Sequence, residues 1–360
     1  MEVKNGSFGA GAGVVRWGRG ACASITSRRR ISGNITRIIC YIRCNLRVTT
    51  QVSRGSLQYE EFYGFAQSPF TLAPDPRFLY PSPTHEEAIR LLLQTIRRRE
   101  GVAVLSGDIG TGKTTVCRTV LEQLDMTLFT SLVLNPFLSG EELLREILLD
   151  FGVVSREAVR SGRIIAASRH ELISTLHEFL TSLLPIKASG VLIIDEAQHL
   201  SPEVLEDIRI LSNLETNQTK LLQIVLVGQL NLLDVLKQPE LRQLDQRIAL
   251  RTVLSPLGRL ELEAYVIHRL SVAGEMGQLA FDDAALDLIQ SASSGVPRLI
   301  NLICDRALMI GAQSDARVIT TNMINAAIGS LGLQPPRRPF RFSWPRLPEL
   351  LSLFRWRRPV

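Results

Sequence analysis

The sequence predicts an α/β fold, a parallel sheet with helices on both faces followed by a small all-helical lid. Three observations lead there. Five strand candidates, at 102–105, 128–134, 191–194, 221–227 and 249–253, alternate with helical stretches, the arrangement of a parallel sheet covered on both sides. Val191-Leu192-Ile193-Ile194 is apolar throughout, as a strand buried on both faces must be. After Ser255-Pro256 the strand signals stop, and helical patterns follow at about 259–273, 282–293, 297–312 and 320–330. The chain accordingly divides into a basic segment (1–58), an α/β portion (59–254), a helical lid (255–332) and a basic aromatic tail (333–360).

Residues 1–58 are rich in Gly, Ser, Thr and Arg and show no periodicity longer than a few residues. They read as a disordered segment, as the product of a translation start assigned too far upstream, or as a basic arm whose Arg28-Arg29-Arg30 touches a phosphate backbone or acidic lipid; the residues leave these open. From Tyr59 the punctuation becomes that of a folded domain. Thr84-His85-Glu86-Glu87 reads as a capping box opening a helix through Ile96, with Arg97-Arg98-Arg99 against its negative end.

Directly after the first strand, Gly107-Asp108-Ile109-Gly110-Thr111-Gly112-Lys113-Thr114-Thr115 completes the pattern G-x-x-x-x-G-K-[ST] and runs into a helix from Thr114 to Leu124. Glycines let such a turn bring backbone N–H groups onto a polyphosphate, and the helix that follows offers its positive dipole end. The pattern therefore predicts the sheet of a P-loop NTPase. Lys113 meets the β- and γ-phosphates, Thr114 places its hydroxyl on Mg²⁺, and Thr115 is the next helical residue.

Ser139-Gly140-Glu141-Glu142 and Ser168-Arg169-His170-Glu171 are two further capping boxes. The strand 191–194 is closed by Asp195-Glu196, and ligands of parallel sheets sit at that carboxyl edge. Asp195 suits the Mg²⁺ water shell, and Glu196 suits polarising the water that attacks the γ-phosphate. Ser201-Pro202 supplies a cap and a proline for the next helix. The strand Leu222 to Val227 ends in Gly228-Gln229, where Gln229 orients the attacking water, senses the γ-phosphate or caps a loop. In Pro239 to Arg247, an arginine is placed to reach the nucleotide of a neighbouring subunit, Arg247 first and Arg242 second; either also reads as a solvated helix residue. In the lid, Gly295-Val296-Pro297-Arg298 sets Arg298 in the first turn of a helix, where the dipole disfavours a cation and an anionic partner such as phosphate is expected.

Composition, 45% apolar and 21% charged, suits a cytosolic globular enzyme, and no apolar run approaches the ~20 residues of a spanning helix. The formal charge of +6 is unevenly divided: 1–58 carries ten Lys/Arg against one acid, and 337–360 carries seven Arg against one Glu, leaving −9 on the stretch between. An acidic centre argues against a nucleic-acid surface there. Cys22, Cys40, Cys44, Cys117 and Cys304 form neither a disulfide framework nor a zinc signature, and Cys117 and Cys304 fall in helical patterns as small core residues. The five histidines show no metal spacing and are given no chemistry.

Residues 59–330 resemble AAA+ ATPases, specifically the ExeA-like group associated with type II secretion and related envelope systems. The resemblance lies in Phe62-Tyr63-Gly64-Phe65, Ser68-Pro69-Phe70, Pro74-Asp75-Pro76-Arg77-Phe78-Leu79-Tyr80, the phosphate loop, Leu192 to Gln198, Leu211-Ser212-Asn213-Leu214-Glu215-Thr216, Val227-Gly228-Gln229 and Gly295 to Asn301. It implies an oligomeric ATPase using ATP and Mg²⁺, with Gln229 as sensor 1, Arg247 as finger in trans and Arg298 as sensor 2, and with 62–80 helping to form the adenine pocket. Two departures limit the transfer. Secretion-type members continue through a membrane span into a peptidoglycan-binding domain, whereas this sequence stops after the Pro335 to Trp344 stretch, so peptidoglycan binding is not expected. Gln229 is followed by Leu230 where relatives often carry proline.

The process served has two readings: a motor or switch in envelope secretion, pilus or exopolysaccharide export, with an envelope-machinery partner, or an ATP-gated DNA-binding regulator resembling transposition AAA+ proteins. The acidic centre favours the first. In the tail, Phe340, Phe342, Trp344, Phe354 and Trp356 alternate with arginines, and Leu347 to Phe354 fits a short amphipathic helix, so the segment reads as a peripheral contact on the inner membrane, a disordered tail or a partner-docking peptide.

Overall fold

The computed structural model describes residues 59–155, 157, 167–274 and 279–333. The readings of 1–58 and of the tail helix at Leu347 to Phe354 fall outside these residues.

Five parallel strands, β1 (Val102–Gly107), β2 (Leu128–Val133), β3 (Ser189–Ile194), β4 (Leu222–Gly228) and β5 (Ile248–Leu254), form one sheet in the order β2-β3-β4-β1-β5. Every residue of β1, β3 and β4 is buried, because helices cover both faces of the centre. The edge strands β2 and β5 alternate in burial instead, which is why Thr130 and Arg251 are accommodated there.

Among the described residues the helices before and between the strands are α1 (Tyr59–Tyr63), α2 (Pro83–Arg98), α3 (Lys113–Gln123), α4 (Gly140–Asp150), α5 (Arg169–Ser182), α6 (Pro202–Leu211), α7 (Asn231–Leu236) and α8 (Arg242–Asp245). The capping boxes at Ser139/Glu142 and Ser168/Glu171 are both formed, and Ser201 caps α6 with Pro202 at its first position. The start of α2 is corrected: its cap is Ser82, not Thr84. Pro83, with φ already helical and no N–H to satisfy, opens the helix, and the Ser82 hydroxyl accepts from the His85 N–H. Arg99 closes α2 in the left-handed region and donates to the Lys187 carbonyl.

Four helices follow, α9 (Arg259–Val272), α10 (Asp283–Ser293), α11 (Pro297–Gln313) and α12 (Thr321–Ser330), with a two-stranded parallel ribbon, β6 (Ala280–Phe281) and β7 (Val318–Ile319), among them. Their core holds Leu262, Tyr265, Ile300, Ile303 and Cys304, and it also receives Tyr59, Tyr63, Phe65, Phe70 and Phe78. The segment that precedes the sheet in sequence thus buries its aromatic rings among the helices that follow it. Tyr59 reinforces this by donating to Asp305 of α11 at 2.5 Å. A second core beneath the sheet joins α2 and α3 to β1, β3 and β4 through Leu92, Ile96, Val116, Val120, Ile193 and Val225. Cys117 and Cys304 are buried, one in each core, and burial pushes both thiols up. Among the described residues no helix is long and apolar enough to cross a membrane, and no group of three or more His, Cys, Asp or Glu is gathered as a metal would need.

Candidate nucleotide site

The strand order places the site. Because β4 lies between β1 and β3, the loop leaving β1, the acids leaving β3 and the Gly228-Gln229 end of β4 stand side by side at the carboxyl edge of the sheet. Gly110 and Gly112 adopt φ of 80° and 97°, values that only glycine takes freely, and these turns carry the chain from β1 into α3. No side chain caps α3, so its leading N–H groups face the loop. Thr111 is buried, and its hydroxyl ties the loop by donating to the Asp108 carbonyl at 2.8 Å.

Lys113 is buried and donates to the carbonyls of Gly107 (3.1 Å) and Asp108 (2.9 Å). Burial lowers its basicity, while Glu196, Asp195 and Asp108 act in the opposite sense. Thr114 Oγ1 donates to Asp195 Oδ2 at 2.6 Å, joining the phosphate loop to the end of β3. Asp195 is buried, and its other oxygen accepts from the Glu196 N–H at 2.9 Å. Glu196 has left-handed backbone, φ 53°, a conformation that costs a non-glycine residue ~1–2 kcal/mol.

A cavity of about 250 Å³ connects these parts. Its walls are residues 71–75 and Phe78 to Tyr80, His85, the loop from Ile109 to Thr115, Glu196, and Tyr265, Arg269, Arg298 and Asn301 from the following helices. The structure therefore brings together Ile109, Gly110, Thr111, Gly112, Lys113, Thr114, Thr115, Glu196 and Arg298, with Asp195 joined through Thr114. Arg298 packs against the loop: its N–H donates to the Gly110 carbonyl at 3.2 Å, and a Cβ on residue 110 would meet its Cβ at 2.7 Å. Gln229 and Arg247 do not line the cavity. The Gln229 N–H donates to Gln198, and Arg247 donates to Ser212 (3.0 Å) and Asn213 at the end of α6. Arg242 is exposed on α8.

Sequence reasoning passed over three residues at this site. His85, given no chemistry above, is buried between the Ser82 hydroxyl (2.6 Å) and the Thr111 carbonyl of the phosphate loop (2.9 Å). A carbonyl only accepts, so Nε2 carries the proton and Nδ1 accepts from Ser82. Burial lowers its pKa, with the bond to the Thr111 carbonyl and then the charge of Glu261 of α9 opposing. Arg269 of α9 donates to the carbonyls of Pro69 and Thr71, and Gln198 bonds Glu196.

A hydroxyl and a carboxylate are hard oxygen donors of the kind Mg²⁺ selects. A lysine, an uncapped helix start and an arginine around one cavity suit a polyphosphate. The residues present fit a Mg²⁺-bound nucleoside polyphosphate.

The AAA domain family matches residues 96–236. The chain is 40% identical over 277 residues, 77% of its own length, to general secretion pathway protein A of Aeromonas hydrophila, and spans about half (49%) of that relative. Its fold is shared by the Aeropyrum pernix ORC2 protein, solved as ADPNP-ADP complexes, with TM-score 0.55 at 15% identity over 73% of this chain and 71% of that one. Drosophila ORC bound to DNA gives TM-score 0.54 at 18% identity over 83% and 74%. With the phosphate loop, the β3 acids and the following helices gathered on one cavity, the chain belongs to the ExeA-like group of AAA+ ATPases.

Proposed function

We propose that the protein binds ATP with Mg²⁺ and hydrolyses it to ADP and phosphate as a homo-oligomer, acting as a motor or switch for an envelope secretion or export machine at the cytoplasmic side of the inner membrane. The observation that carries the reading is the 2.6 Å bond between Thr114 and Asp195, which joins the phosphate loop to the β3 acids beside a cavity that also holds Lys113, Glu196 and Arg298.

Lys113 trades its two carbonyl partners for the β- and γ-phosphate oxygens, which satisfy a buried ammonium better than neutral carbonyls do. Thr114 and Asp195 would hold Mg²⁺, which would supply charge to offset that on the phosphates. Glu196 takes the proton of the attacking water. Arg298, standing on the loop, neutralises γ-phosphate charge, and Gln229, at the end of β4 but outside the cavity lining, is assigned to orienting the water. Arg247 is assigned to the neighbouring subunit's nucleotide, and its position outside its own cavity is what a residue acting in trans requires. The secretion role rests on the name of the A. hydrophila relative, half of which this chain spans. A DNA-binding role has the fold of the ORC proteins behind it, but the −9 charge of the central stretch opposes a phosphate backbone.

Calorimetric titration with Mg-ATP tests the site. Lys113→Ala is expected to abolish binding, since a methyl group replaces the charge that meets the phosphates. Unchanged ATP affinity in that variant refutes the assignment.

A further inference from the structure

We propose that Gln198 is a positioning residue for hydrolysis, clamping the Glu196 carboxylate to the end of β4 through its side-chain amide. The inference rests on the ATPase reading above and deepens it.

Gln198 Nε2 donates to Glu196 Oε2 at 2.6 Å, and Gln198 Oε1 accepts from the Gln229 N–H at 3.0 Å. Chemistry fixes this orientation of the amide. A backbone N–H only donates, so the carbonyl oxygen must face Gln229, and the NH₂ is left for a carboxylate that, when ionised, only accepts. Turning the amide over would set donor against donor and acceptor against acceptor.

The surroundings keep the clamp in place. A Cβ on residue 228 would stand 2.6 Å from Gln198 Oε1, so Gly228 makes the room the amide occupies. Glu196 and Gln198 sit on the same short turn, which begins at Glu196 in its left-handed conformation and runs through 197–199. Glu196 lines the cavity and Gln198 does not, so Gln198 acts through Glu196 and never on the nucleotide.

A free glutamate side chain samples several rotamers, whereas a catalytic carboxylate must be held within a fraction of an ångström of its working position. The clamp supplies that restraint. It also makes Glu196 answer to the β4 end: a shift of Gln229, which precedes α7, reaches the carboxylate through a single amide.

The test uses the full chain with Gln198→Ala, which removes both bonds, and Gln198→Glu, whose ionised carboxylate still accepts from the Gln229 N–H but repels the Glu196 carboxylate in place of donating to it. Each is made alone and on a Glu196→Gln background, with ATP affinity measured by calorimetry and turnover by steady-state and single-turnover assays. Both single variants are expected to keep ATP affinity within about twofold and to lose kcat by about tenfold or more, the effect of removing a hydrogen bond to a charged group. On the Glu196→Gln background, Gln198→Ala is expected to change the residual rate by less than about twofold, because the group it positions is gone.

Wild-type kcat in Gln198→Glu would mean that the amide only caps Gln229, and would overturn the proposal. So would equal losses of affinity and kcat, or an undiminished further loss on the Glu196→Gln background. Should Gln198→Ala not fold, Gln198→Met, which keeps the length of the side chain and makes neither bond, takes its place in both backgrounds. If Glu196→Gln turns over like wild type, the ATPase reading fails and takes the clamp with it. If Glu196→Gln is slow and the Gln198 variants are not, the clamp alone fails.

Discussion

Arg269 offers the sharpest test of how the helices hold the cavity wall. Its guanidinium is buried, donating to the Pro69 carbonyl at 2.6 Å, the Thr71 carbonyl at 3.1 Å and the Tyr265 hydroxyl at 3.0 Å, and it lies 4.7 Å from the centre of the Phe78 ring. One side chain of α9 thus pins the segment 69–78, which forms one side of the cavity. Arg269→Met keeps the stem and deletes the fork. Two backbone carbonyls lose their donor, at ~1–3 kcal/mol each where no water replaces it. The ring contact adds ~1 kcal/mol. Relief from desolvating a buried charge offsets part of this. A net loss of about 3 kcal/mol is expected, which at ~2–4 °C per kcal/mol lowers Tm by about 6–12 °C. Scanning calorimetry reads the melting shift, and Mg-ATP titration should show weaker binding as the wall loosens. Arg269→Lys separates charge from geometry, because one ammonium cannot reach three divergent acceptors along the directions of a planar fork. An Arg269→Lys protein with wild-type Tm and ATP affinity would refute the reasoning.

Glu196→Gln is expected to bind ATP and hydrolyse it at least about 100-fold more slowly; mixing it with Arg247→Ala protein should restore turnover, because some interfaces then pair an intact Glu196 with an intact Arg247, and no recovery in a mixture shown to co-assemble counts against the trans assignment. His85 gives a pH dependence: burial lowers its folded pKa below the usual ~6.5, so the stability it contributes is present above that value and lost as pH falls through the folded one. As pH falls below about 6.5 the Tm of the wild type should therefore fall more steeply than that of His85→Gln, despite the opposing Thr111 bond and Glu261 charge, and parallel curves would exclude the effect. Gly295 has φ 76°, and a Cβ there would overlap the Leu257 carbonyl, whose own N–H donates to Gly295 at 2.8 Å. Gly295→Ala should cost more than about 3 kcal/mol, read as a fall in Tm or as loss of soluble protein.

The parts of this protein that are legible in its sequence share a physical property. Val191 to Ile194 announces a central strand because burial on both faces demands apolar residues whatever lies opposite. Ser139 and Ser168 announce helix starts because each cap is completed three residues away by Glu142 and Glu171. The phosphate loop and the Asp195-Glu196 pair are legible because their partner is a ligand of fixed chemistry, which demands lysine, hydroxyl and carboxylate at set spacing. Ser82-Pro83 carries the same cap-plus-proline signature as Ser201-Pro202, but Thr84 with Glu87 at capping-box spacing competes with it and draws the helix start to itself.

The residues that hold the site in place have no such signature. His85 binds the carbonyl of Thr111, Arg269 those of Pro69 and Thr71, and Gln198 the N–H of Gln229, with partners 26, 200, 198 and 31 positions away in the chain. Every one of these partners is a backbone group, and backbone groups look alike whatever residue carries them. No pattern of residue types can therefore mark the pairing, and only the fold shows it. The same fact makes the supports testable: a backbone acceptor survives any side-chain substitution, so changing His85, Arg269 or Gln198 removes the donor or acceptor while its partner stays where it was. What each variant then loses, whether stability, affinity or turnover, reports which step that support serves.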